Sequence, residues 1–161
     1  MRFHGRCPFD GSFRPYIIAL FRDVITNVPK AIHRIRIDGG GKLSLGSKSG
    51  CAVKLSADED VELGLTIGEG IETTLAAWQH GFRPAWACGD AANLRAFPVL
   101  AGVDGLHIIV DLDPPDEHGH RKGPEAATET SGRWTAAGRD VFRVVPTRIG
   151  ADFNDVAKAR R

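Results

Sequence analysis

Apolar and polar positions alternate with a period near two along the first third of the chain, then give way to short apolar runs separated by helically spaced segments. The run Tyr16 to Ile25 is β-branched and aromatic and reads as a strand, closed by the turn residues Thr26-Asn27-Val28-Pro29. From Ala31 to Asp38, Ala31, His33, Ile35 and Ile37 share one face while Ile32, Arg34 and Arg36 share the other, which predicts a second strand. Gly39-Gly40-Gly41 breaks it, residues 42–50 are rich in Gly, Ser and Lys and read as a mobile loop, and Ala52–Leu55 can form another short strand. A small antiparallel sheet is expected.

A charged connector, ADEDVE, follows Ser56, and past it strand and helix patterns alternate. Leu63–Ile67 predicts a buried strand. Glu72–Gly81 predicts a helix with Leu75, Ala76 and Gln79 at helical spacing and a glycine stop. Pro84–Cys88 predicts a strand, and Asp90 can cap a short helix over Ala91–Phe97. Leu106–Val110 is the strongest strand signal; helix follows over Pro124–Gly138, strand over Val141–Val145, and helix over Asp152–Arg161. Such alternation implies βαβ units and a mainly parallel sheet flanked by helices. The expected organisation is a β-rich extension over residues 1–58 and an α/β domain over 59–161. Trp78, Trp86 and Trp134 fall on packing faces and are expected in the core.

At 161 residues, 42% hydrophobic and 25% charged, the chain has the composition of a folded domain, not of a disordered tail. No apolar run approaches the roughly 20 residues of a membrane span, and the N-terminus lacks the apolar core of a secretory signal, so a cytoplasmic protein is expected. Cys7, Cys51 and Cys88 are odd in number and widely spaced, which excludes a CxxC metal or redox motif. The formal charge of +1 hides an asymmetry, because residues 1–56 carry ten Lys/Arg against three Asp/Glu and are strongly basic. Arg22, Arg34, Arg36, Lys48 and Lys54 make this half a candidate contact for a nucleic-acid backbone or a triphosphate.

Chemistry in a parallel sheet collects at the carboxyl ends of its strands, and acids stand at two of them. Glu69 closes Ile67-Gly68-Glu69-Gly70; Asp111 and Asp113 close Val110-Asp111-Leu112-Asp113, where residues two apart project to one face. Adjacent ionised carboxylates repel unless a cation neutralises them, and clustered hard oxygens suit Mg²⁺ or Mn²⁺. Asp116, past two prolines, is a candidate third acid. Glu72 reads as a first-turn acid, His118 and His120 as solvated loop residues, and Asp152, Asn154 and Asp155 as the cap and first turn of the last helix. DLDPPDEHGH is no EF-hand, lacking the sixth-position glycine and the closing glutamate, and Gly68-Glu69-Gly70 is no dinucleotide fingerprint.

The order Glu69-Gly70-Ile71-Glu72, then some forty residues on Asp111-Leu112-Asp113, resembles the Toprim domain of bacterial-type primases, topoisomerases and some nucleases. IGEGIETTLAA, PAWACG, RWTAAGRDV and ADFNDV are more closely similar to the Toprim domains of phage and mobile-element primases and primase–helicases, and the segment from RFHGRCPF to AIHRIRID is similar to the β-rich region before Toprim in those proteins. The resemblance implies a Toprim-like α/β fold with an N-terminal antiparallel β-rich extension. It also implies Glu69, Asp111 and Asp113 as catalytic and metal residues, Mg²⁺ or Mn²⁺ as cofactor, and primase-type nucleotidyl transfer from nucleoside triphosphates on single-stranded DNA. The alternatives are a metal-dependent Toprim nuclease and a non-catalytic module that binds DNA or a helicase. The lone tyrosine, Tyr16, lies in an apolar strand and is a poor topoisomerase nucleophile. Neither a cysteine-rich zinc module nor a P-loop occurs, so this stretch alone is not expected to be a complete replicative primase; a fragment, a split gene and a stand-alone Toprim protein remain open, with a helicase or zinc-binding module on another chain as a candidate partner.

Overall fold

The computed structural model describes residues 1–9, 11–111 and 114–145, and the chain divides after Val53 into two compact units. The first unit is antiparallel throughout. Its strands are β1 (Arg2–Phe9), β2 (Ser12–Asp23), β3 (Pro29–Arg36), β4 (Lys42–Gly46) and β5 (Cys51–Lys54), whose last residue already belongs to the second unit. The long β2 pairs with β1, β3 and β5, and β4 adds to β3. Tyr16, Ala19, Phe21, Val24, Ala31 and Val53 are buried.

The β2–β3 turn is held by Asp23. Its Oδ1 accepts from the backbone of Ile25 (3.0 Å) and Thr26 (2.8 Å), its Oδ2 accepts from Lys30 Nζ (2.6 Å), and Asn27 takes the left-handed conformation (φ 59°) that an Asn tolerates. Residues 42–50, expected to be a mobile loop, contain β4 instead. Leu43 and Leu45 alternate as a strand requires, but they are 44% and 61% exposed, so the alternation marks no core and the flanking glycines dominate the pattern. The strand β1 falls in the segment expected to be β-rich by resemblance, but with Gly5, Pro8 and two arginines it writes no apolar pattern of its own: it is ordered by pairing with β2 and buries only Cys7 among its described side chains.

The second unit is a parallel sheet, as the alternating pattern implies. Its strands are β6 (Gly64–Gly68), β7 (Ala85–Ala87), β8 (Gly105–Ile109) and β9 (Asp140–Val144), in the order β7-β6-β8-β9. The crossovers carry α1 (Ile71–Gln79), α2 (Ala91–Arg95) and α3 (Lys122–Ala136). Leu65, Ile67, Leu106, Ile108 and Ile109 are at most 1% exposed, the near-continuous burial of strands covered on both faces. Trp134 is fully buried, stacked on Phe97 at 6.3 Å, and Trp86 meets Phe97 edge-on at 6.4 Å; Trp78 is only half-buried.

The buried face of α1 is Ile71, Thr73, Thr74, Ala76 and Ala77, so two threonines take places where apolar periodicity pointed to Leu75 and Gln79. As expected, Asp90 caps α2, accepting from Asn93 N at 2.9 Å. The α3 helix begins two residues before the expected Pro124, which sits harmlessly in the first turn, where proline's missing N–H has no helical partner to lose. The helix read over 152–161 lies outside the described residues. No helix among the described residues is long and apolar enough to cross a membrane.

Candidate metal and catalytic site

Strand order decides where two of the acids meet. The connection from β6 runs through α1 to β7 on one side, whereas that from β8 runs through α3 to β9 on the other. The loops after β6 and β8 therefore diverge and open a crevice at the carboxyl ends of adjacent strands, the topological switch point of an open α/β sheet. Glu69 is the first residue past β6, and Asp111 the second past β8.

The backbone around Glu69 is fixed on both sides. The β6 carbonyls continue the ladder past the strand end, with Gly68 O accepting from Cys88 N (2.8 Å) and Glu69 O from Gly89 N (2.7 Å). Gly70 is the N-cap of α1 in an extended conformation, so the chain turns into the helix directly beyond the acid. Val110 N donates to Val144 O at 3.0 Å and secures the residue before Asp111.

Two contacts join the acids to the same surroundings. Thr73 Oγ1 donates to Asp111 Oδ2 at 3.3 Å, tying α1 to the end of β8. A methyl added at Gly123, in the first turn of α3, would stand 3.0 Å from Glu69 Oε2 and 3.6 Å from Asp111 O. A methyl at Gly70 would stand 3.8 Å from Asp111 Oδ2. Gly123 thus lets the first turn of α3 approach the Glu69 carboxylate closely, and the carboxylate oxygens here are the hard ligands that Mg²⁺ or Mn²⁺ prefers. Glu69 and Asp111 carry donors of the kind such a cation takes. Among the described residues no three His, Cys, Asp or Glu side chains gather at ligand spacing. Asp113, expected to complete the set, lies outside the described residues, as do Asp152, Asn154 and Asp155.

The neighbouring groups have other work. Burial pushes the Cys88 thiol well above its ordinary range, and the charges of Asp90 and Glu69 add to this, so Cys88 is an inert core residue. Asp116 Oδ1 accepts from the backbone of both His118 and His120 at 3.0 Å. These bonds, that from His120 first, hold its carboxyl below the usual carboxylate range. His118 and His120 are exposed, beside Glu117 and Glu125 respectively. Glu72 sits half-buried in the first turn of α1, and Tyr16 is fully buried in β2.

The basic residues singled out in the sequence are placed as follows. Arg22 donates to Asn27 O (2.9 Å) and Arg34 to Pro8 O (2.6 Å); Arg36 grips Asp38 through two nitrogens (2.8 and 2.6 Å). Lys48 lies over the Phe21 ring at 5.7 Å. Lys54 is only 6% exposed, with Nζ 2.6 Å from Asp58 and above the Trp86 ring, so the fold itself employs its charge. Sequence reasoning missed Thr73 and Gly123, the residues that contact the two acids. Their only signal was a hydroxyl pair in Glu72-Thr73-Thr74 and a glycine just before a helical run.

The Toprim domain family matches residues 64–160, which contain Glu69, Asp111, Asp113 and Asp116. No curated protein matches the chain by sequence. Among solved structures, a DnaG primase catalytic domain bound to single-stranded DNA is similar with a TM-score of 0.63 and 18% identity, over 96% of this chain and 53% of that one. The Escherichia coli primase catalytic core is similar with a TM-score of 0.62 and 17% identity, over 95% and 52%. The primase domain of bacteriophage T7 gp4, solved with the lagging-strand DNA polymerase, gives 0.60 and 17%, over 94% and 74%. The chain spans about half the length of the first two. With the family match over most of its length, the crevice acids at two parallel strand ends and the shared architecture, this chain belongs to the Toprim domain family.

Proposed function

We propose that the chain acts in DNA primase-type nucleotidyl transfer, joining nucleoside triphosphates on a single-stranded DNA template in a Mg²⁺- or Mn²⁺-dependent reaction. The observation that carries this reading is that Glu69 and Asp111 follow two adjacent parallel strands, the Glu69 carboxylate and the Asp111 backbone carbonyl lying beside the first turn of α3 and the Asp111 carboxylate accepting from Thr73 of α1. Glu69, Asp111 and Asp113 would hold the cation. When bound, the cation supplies positive charge to the triphosphate and to the pyrophosphate leaving group. The chain contributes the two carboxylates and the hydrogen bond from Thr73 to Asp111. Asp116 has Oδ2 to offer as a further ligand, its Oδ1 being bonded within its own loop.

The N-terminal charges Arg22, Arg34, Arg36 and Lys48 are the proposed contacts to the template backbone, each adding to the salt dependence of binding. The structural neighbours support these partners: one is bound to single-stranded DNA, and in another the primase domains are bound to an RNA/DNA hybrid and dTTP. A helicase or zinc-binding module on another chain, and the cytoplasm of a cell replicating a phage or mobile element, complete the setting we infer.

The test is primer synthesis from labelled nucleoside triphosphates on single-stranded DNA, with Mg²⁺ and then Mn²⁺, by the wild type and by Glu69→Gln and Asp111→Asn. The expected result is extension by the wild type alone, with all three proteins folded. Cleavage of the strand in place of extension would replace this reading with a nuclease. Variants that still support replication in the host would leave a non-catalytic module.

A further inference from the structure

Thr73 and Thr74 are neighbours in the first turns of α1, yet their hydroxyls go different ways. Thr74 Oγ1 donates to Gly70 O at 2.6 Å, the ordinary return bond of a helical threonine. Thr73 Oγ1 crosses to another element and donates to Asp111 Oδ2 at 3.3 Å. Thr73 is 6% exposed, so bulk water has little access to its hydroxyl. The bonded pair lies against Gly70, where a methyl would make ordinary van der Waals contact, 3.4 Å from Thr73 Oγ1 and 3.8 Å from Asp111 Oδ2.

A carboxylate beyond a strand end can rotate about two side-chain bonds, and a ligand that rotates binds a cation more weakly than one already aimed. Groups that hydrogen-bond to metal ligands remove this freedom, and their loss typically weakens metal binding by about 10–100-fold. We propose that Thr73 is a positioning residue: its hydroxyl holds Asp111 in the orientation that faces the crevice, and so sets the affinity of the site for a divalent cation. This rests on the reading of Glu69 and Asp111 as cation ligands.

The test uses the full chain and Mn²⁺ alone, titrated calorimetrically and followed by the electron paramagnetic resonance spectrum of the bound ion, with circular dichroism and melting temperature as the check on folding. Thr73→Val keeps the branched shape and removes the hydroxyl; Thr73→Ser keeps the hydroxyl and removes the methyl. The expected result is Mn²⁺ binding weakened about 10-fold in the valine variant, with an altered spectrum, and restored to within about threefold of wild type by serine. Should the valine variant not fold, Thr73→Ala carries the same expectation. A folded valine variant that binds Mn²⁺ as tightly as the wild type overturns the proposal, and so does a serine variant as weak as valine. If the wild type binds Mn²⁺ and Glu69→Gln does not, those outcomes overturn the role of Thr73 alone. A wild type that takes up no Mn²⁺ overturns both that role and the ligand reading beneath it.

Discussion

Gly68→Ala probes how closely α1 is seated on β6, directly beneath Glu69. Gly68 is buried at the end of β6, and an added methyl would overlap Thr74 Oγ1 and stand 3.4 Å from both Thr74 Cβ and Ile109 Cβ. Thr74 is fully buried and its hydroxyl is bonded to Gly70 O at 2.6 Å, so moving it aside sacrifices a buried hydrogen bond. That loss is about 1 kcal/mol, and overpacking a filled core adds about 1–3 kcal/mol, giving a destabilisation of roughly 2–4 kcal/mol. In a chain of this size each kcal/mol lowers the melting temperature by about 2–4 °C, so a fall of roughly 5–15 °C is expected. Thr74→Ala by itself loses the bond and leaves a small void, at about 1–3 kcal/mol. In the double variant the methyl at 68 enters the space vacated at 74, and the two penalties do not add; the coupling is expected at about 1–2 kcal/mol in favour of the pair. Urea unfolding of the four proteins, followed by circular dichroism, measures the cycle. Additivity within about 0.5 kcal/mol would refute the assignment of Thr74 as the neighbour that Gly68 accommodates.

Gly123→Ala separates helix stability from the site. Alanine favours a helix by up to about 1 kcal/mol over glycine, while its methyl would press on Glu69 Oε2 from 3.0 Å; calorimetry is expected to show no loss of melting temperature and titration roughly 10-fold weaker Mn²⁺ binding. Ser56→Ala removes the oxygen that accepts from both Trp78 Nε1 (3.0 Å) and Ala85 N (3.2 Å), and stranding two such donors is expected to cost about 2–4 kcal/mol by urea unfolding, with a changed near-ultraviolet spectrum. Asp90→Ala removes the cap of α2 and is expected to cost about 0.5–2 kcal/mol in the same assay. Acid stability follows from Asp23, Asp38 and Asp116, whose carboxyls are lowered chiefly by Lys30, by Arg36 and by the backbone of His120 respectively. A depressed folded pKa contributes stability above the unfolded value, about 3.9, and loses it as pH falls toward the folded one; melting temperatures are therefore expected to hold down to about pH 5 and decline below about 4, less steeply in Asp23→Asn.

Much of this domain was legible because the features that form it are local. Leu106–Val110 could be read as a strand because all of its faces are covered, and Asp90 as a cap because its bond closes over three residues. Glu69 and Asp111 were legible as acids at strand ends for the same reason. The strands β1 and β4 were not legible from a pattern of their own, since they are held by pairing and present few buried side chains that could write one into the sequence.

The site's surroundings were illegible on other grounds. Thr73 reaches a partner 38 residues away, and Gly123 matters through a side chain it does not have; both are properties of packed helices, which no window of neighbouring residues contains. Strand order supplies the missing step. In the order β7-β6-β8-β9 the two crossovers that begin at β6 and β8 part company, so these strand ends open onto one crevice and their acids become neighbours. Had β8 joined the sheet beyond β7, the same sequence motifs would end on strands separated by β7, and the hydroxyl of Thr73 would have no carboxylate to hold. The list of acids can be read along the chain, but their meeting depends on the direction in which each connection leaves its strand.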